Sequence, residues 1–84
     1  MRIISQDKEF DLPYEEATIH AFSDGKVIAY SLNDLGNNDF ITMAEYSTKE
    51  KAIKAMEMCR EYYDSIFFEP QSEIFQFPAE EEVE

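Results

Sequence analysis

Asp7, Glu9 and Asp11 set three carboxylates at alternate positions, and Glu15 and Glu16 follow a few residues later. Acids in this pattern could do two things: ligate a hard cation, or present a negative row to a basic surface. The cation reading fails on spacing. Counted from Asp7, the sixth position of a calcium loop is Leu12, where the sharp turn needs glycine. The twelfth is Thr18, where a bidentate glutamate is needed. The row reading survives, because alternating strand positions lie about 6.6 Å apart and duplex phosphates advance about 3.4 Å along the axis per strand. Glu80, Glu81 and Glu82 supply a second acidic run. The candidate partner-binding residues are therefore Asp7, Glu9, Asp11, Glu15, Glu16, Glu80, Glu81 and Glu82.

Other residues capable of chemistry stand alone. His20 falls in a strand-like segment with no nameable acid–base partner, which favours a surface or half-buried strand histidine over a general base. Cys59 falls on the apolar stripe of a helix, whereas a nucleophilic thiolate needs an open, electropositive setting. With only Gly25 and Gly36, the chain has no glycine-rich loop to cradle a phosphate. The expectation is a protein that is not an enzyme and holds no cofactor or metal.

Charge is more informative. The 84 residues carry a formal charge of −12, split as −6 over residues 1–46, zero over 47–66 and −6 over 67–84. Such a surface repels nucleic acid and anionic lipid and attracts basic proteins. No apolar run approaches a membrane span, and Met1-Arg2-Ile3-Ile4 gives way at once to polar residues, unlike a secretion signal. A single cysteine forms no internal disulfide. These features point to the cytoplasm, with one small domain over 1–78 and an acidic C-terminal tail over 79–84 that frays.

The element that must organise the rest is Ser47 to Ile66. Ser47 reads as an N-cap with Glu50 completing a capping box. Ala52, Ala55, Met56, Cys59, Tyr62, Tyr63 and Ile66 fall on one helical face, opposite Glu50, Lys54, Glu57, Glu61 and Asp64. Met1–Ser5, Glu9–Leu12, Ala17–Phe22, Lys26–Leu32 and Phe40–Tyr46 read as strands before the helix, and Glu73–Phe77 as one after it. Asp24-Gly25 is the strongest hairpin signal. Pro13 ends the second strand or holds it at an edge. Asn33 to Asp39 reads as an exposed loop, and Phe67 to Ser72 must reverse the chain. The fold class is α+β: a small, mostly antiparallel sheet with one amphipathic helix on one face, in the order β-β-β-β-β-α-β. One helix covers one sheet face, so the second face either exposes aromatic area or curls over itself.

The runs Arg2-Ile3-Ile4-Ser5-Gln6-Asp7, Asp11-Leu12-Pro13-Tyr14-Glu15, Ala44-Glu45-Tyr46-Ser47-Thr48, Glu50-Lys51-Ala52, Lys54-Ala55-Met56-Glu57-Met58 and Phe75-Gln76-Phe77-Pro78 span nearly the whole chain. In that order they resemble a family of small uncharacterised acidic proteins of Firmicutes, often associated with phages or mobile elements. Lys8 stands where glycine is usual in that family, and the helix-to-last-strand connection is short. The resemblance implies a cytoplasmic bacterial accessory protein carried by a mobile element, and transfers no site residues. Small acidic proteins of such elements include inhibitors of host-defence nucleases. The reading is a non-enzymatic acidic interaction module that binds a basic, nucleic-acid-binding protein, with a nucleic-acid mimic of the anti-CRISPR type as its sharpest form. The alternative is a self-associating (homo-oligomeric) accessory domain whose acidity serves only solubility.

Overall fold

A computed structural model describes residues 1–31, 40–66 and 73–83. Its strands form two three-stranded sheets that share one core with a single helix. In the first sheet, β1 (Arg2–Ile4) lies between β2 (Asp11–Pro13), which is antiparallel to it, and β6 (Ile74–Gln76), which is parallel. The second sheet is an antiparallel meander of β3 (Ala17–Ala21), β4 (Lys26–Ser31) and β5 (Phe40–Glu45). Helix α1 (Lys49–Ser65) follows β5. The α+β class and element order are those expected from the sequence, but the strands divide between two sheets instead of sharing one. The division begins at Pro13, which ends β2 at an edge and leads into a 3-10 turn over Tyr14–Glu16 that redirects the chain into β3. The two stretches expected as connections, Asn33 to Asp39 and Phe67 to Ser72, lie outside the described residues.

Local chemistry sets the turns. Gly25 adopts φ +92°, and its amide donates to the Phe22 carbonyl at 3.0 Å. The Asp24 carboxylate accepts from the Lys26 amide at 3.1 Å, so the β3–β4 hairpin is closed by the residue types that favour it. The first hairpin also closes tightly, with Lys8 at φ +68° in the conformation a glycine would take. The Lys8 amide donates to the Ser5 carbonyl at 2.9 Å.

One irregularity joins the sheets. Val27 pairs with Ala44 but Ile28 with Thr42, so Met43 is the extra residue of a β-bulge. The bulge turns the Met43 carbonyl outward, where it accepts from the Gln6 amide at 2.6 Å. The Gln6 side chain then accepts from the Glu45 amide at 3.1 Å and donates to the Pro78 carbonyl at 3.0 Å. One residue of the first hairpin thus holds β5 and the C-terminal segment together.

Helix α1 is capped by Thr48 rather than by Ser47. The Thr48 hydroxyl accepts from the Lys51 amide at 3.2 Å, while the Ser47 amide is taken by the Glu80 carboxylate. The Glu50 capping box is therefore not formed. Ala52, Ala55 and Cys59 are fully buried, whereas Met56, Tyr62, Tyr63 and Ile66 are partly covered at the margins of that stripe. The core is completed by Ile3, Val27, Ala29, Met43, Phe75 and Phe77. Each large apolar side chain among these contributes about 1.5–3 kcal/mol by leaving water. Ala79–Glu84 was expected to fray, but its described part forms a 3-10 turn over Glu80–Glu82 and buries Val83 to 2% exposure. The apolar side chain anchors an otherwise charged run.

Candidate protein-interaction surface

The β1–β2 hairpin carries three of the candidate carboxylates and the 3-10 turn after it two more, Glu15 and Glu16, and together they are spread apart. Of Asp7, Glu9 and Asp11, only Asp11 belongs to a strand. Asp7 lies in the turn that Lys8 closes, so the regular spacing of alternating strand positions does not arise. The Asp7 carboxylate accepts from the Ser5 hydroxyl at 2.5 Å and from the Glu9 amide at 3.0 Å, and these two bonds, the hydroxyl first, hold it below its ordinary range. Ser5 is fully buried, and its hydroxyl oxygen also accepts from the Phe10 amide at 3.0 Å. Asp11 pairs with the Arg2 guanidinium at 2.8 Å, and Glu15 with the Met1 amino group at 2.6 Å. That amino group holds Glu15 below the usual carboxylate range.

Glu80 faces the start of α1. Its bond from Ser47 lowers its pKa, with a smaller contribution from Lys51 at 4.0 Å. Glu82 shares one depression with Gln6 and Lys8, so the structure brings this one C-terminal acid up to the first turn. Asp11, Glu15 and Glu16 lie towards the other end of the hairpin. Of the eight candidates, the carboxylates of Glu9, Glu16, Glu81 and Glu82 are exposed and make no ion pair or hydrogen bond among the described residues. Tyr46 links the acidic segment to the core through its hydroxyl, which donates to the Pro78 carbonyl at 2.8 Å. Burial, and secondarily the Glu82 charge, push that phenol upward.

His20 is exposed on β3 and stacks on Phe22, with ring centroids 4.5 Å apart and 12° between planes. Cys59 is fully buried, and burial pushes its thiol up to about 12. Among the described residues, neither side chain makes a hydrogen bond or ion pair. Among the described residues, no three His, Cys, Asp or Glu side chains converge as a metal site requires, and no helix is long and apolar enough to cross a membrane.

The outer face of the second sheet leaves aromatic area open. Phe40 is 63% exposed and packs edge-on against Tyr30, with Phe22 further along the same face. The larger feature missed in the sequence is a groove of about 740 Å³ between β3 and α1. Ala17, Ile19 and Ala21 form its floor, and Ile53, Met56 and Tyr63 one wall. The helical positions are spaced so as to form a second stripe beside the buried one. Nothing in the local sequence marks β3 as the strand that meets it. No protein-family model, curated protein or solved structure matches the chain.

Proposed function

We propose that this chain is a non-enzymatic interaction module that binds a basic protein through its acidic surface. The observation that supports the reading is the set of unpaired, exposed carboxylates at Glu9, Glu16, Glu81 and Glu82, on a chain of charge −12. Carboxylates already paired inside the molecule, such as Asp11 and Glu80, project less field and gain less from a new partner. Basic, nucleic-acid-binding proteins are the partner class that fits, because their grooves are built to receive negative charge.

The experiment is capture from bacterial lysate on the immobilised protein, with a salt titration and competing duplex DNA. Basic proteins should be retained at low salt and released as salt rises. Duplex should displace them if the carboxylates occupy the same groove as phosphate. Converting Glu9, Glu16, Glu81 and Glu82 to Gln should weaken retention more than converting Asp11 and Glu80 to their amides. Retention that ignores salt, or equal effects of the two sets, would remove the basis for the reading.

A further inference from the structure

Each sheet has two edges, and three of the four carry a device that discourages pairing with another chain. β2 ends at Pro13 and bears Asp11. β5 is bulged at Met43 and gives that carbonyl to Gln6. β6 is three residues long. β3 has none of these: it is five residues long, without charge, proline or bulge.

Its hydrogen-bonding parity can be worked out. The Phe22 amide donates across the hairpin to the Lys26 carbonyl at 2.9 Å, so Phe22, His20 and Thr18 turn their amides and carbonyls towards β4. Ile19 and Ala21 must turn theirs outward, over the groove. Among the described residues these four backbone groups have no partner, whereas the outward amide of Ala17 already donates to Tyr14. The groove beside them has the shape of a missing strand. Its far wall holds Ile53, which is 41% exposed, and partly covered Met56.

We propose that a second copy of this chain fills that place, β3 pairing with β3 of its partner about a two-fold axis at His20. In this antiparallel register Ile19 of each copy faces Ala21 of the other, and all four open groups of each copy are used in four bonds. The two sheets become one of six strands, and the Ile53 and Met56 walls close over the seam. His20 and Phe22 of both copies meet on the outer face. Charge selects a second copy over a foreign segment. The groove's ionic lining is balanced, Lys49 and Arg60 against Glu15 and Glu57, so it does not draw a strongly charged peptide. This goes beyond the acidic-surface reading and uses none of its four unpaired carboxylates.

The test is sedimentation equilibrium of the full chain, with two substitutions at the axis. The unaltered chain should run at twice its own mass at millimolar concentration. His20→Lys puts like charges directly opposite each other and should weaken the dimer roughly fivefold, without shifting the unfolding midpoint of the chain diluted to the monomer, because His20 is exposed. His20→Cys should give a covalent dimer under mild oxidation, since directly opposed non-hydrogen-bonded residues lie about 4.5 Å apart between Cα atoms, within disulfide reach. Thr18→Cys, which would face Phe22 of the other copy, should not. Buried Cys59 stays out of the reaction. A single-chain mass for the unaltered protein at every concentration would overturn the proposal. So would a dimer indifferent to His20→Lys, a His20→Cys variant that does not cross-link, or a monomer whose Ile19 and Ala21 amides gain exchange protection only from a foreign peptide.

Discussion

Replacing Gly25 by alanine should come close to unfolding the protein. A Cβ at that position would stand 2.1 Å from the Tyr46 carbonyl oxygen and 2.9 Å from its carbon, and both are backbone atoms that cannot rotate away. The site also holds φ +92°, where an L side chain costs about 1–2 kcal/mol before any contact is considered. Tyr46 cannot retreat freely. Its amide donates to the Gly25 carbonyl at 2.9 Å, its hydroxyl donates to Pro78, and the residue as a whole is 5% exposed. Moving it costs about 1 kcal/mol for the amide bond and about 1–3 kcal/mol for forced repacking. The total, about 3–6 kcal/mol, compares with about 4–13 kcal/mol of stability expected for a domain of 84 residues. Urea unfolding followed by far-UV circular dichroism measures it. Asp24→Ala is the control, because it removes one exposed turn bond and should cost about 0.5–1 kcal/mol. If Gly25→Ala unfolded at the same urea concentration as Asp24→Ala, the close approach of the hairpin to Tyr46 would be wrong.

Lys8 holds the left-handed conformation that glycine prefers, so Lys8→Gly should stabilise the domain by about 0.5–1 kcal/mol after the added chain entropy of glycine is subtracted; urea midpoints would show it, and an unchanged or lower midpoint would contradict the turn geometry. Asp7 is expected to titrate below its ordinary 3.8 by NMR, and Ser5→Ala should return it towards that value. A carboxylate lowered in the folded state adds stability that is fully present above its unfolded pKa and lost as pH falls through the folded one. The Ser5–Asp7 contribution should therefore disappear only on acidification below about 4, leaving neutral pH unaffected.

The parts of the fold that could be read in the sequence are those whose causes are local. Asp24-Gly25 dictates its hairpin, the stripe of Ala52, Ala55 and Cys59 dictates the helix, and alternation through β6 and the residue after it buries Phe75 and Phe77 while exposing Ile74 and Gln76. Where a distant group intervenes, the local reading fails. Ser47 has the chemistry of a cap, but Glu80 takes its amide and the helix begins one residue later. Alternation also says which face a strand buries and nothing about its direction or sheet, so a parallel β1–β6 pair and a second sheet could not be foreseen. The acidic candidates divide along the same line. Their exposure follows from their type, but Asp7 left the expected row because a lysine accepts the conformation of a glycine next to it.

The β3 edge shows most clearly where such reading stops. Ala17-Thr18-Ile19-His20-Ala21 visibly lacks charge and proline, and a strand at the centre of a sheet needs neither. The absence acquires meaning only once β3 is known to be an edge. That depends on the 3-10 turn at Tyr14–Glu16 carrying the chain from one sheet into the other. It also depends on Gln6 covering β5, which leaves the opposite edge of that sheet as the one available for pairing. A composition that is unremarkable in a central strand thus becomes, at an edge facing Ile53 and Met56, a specification for the strand that would complete it.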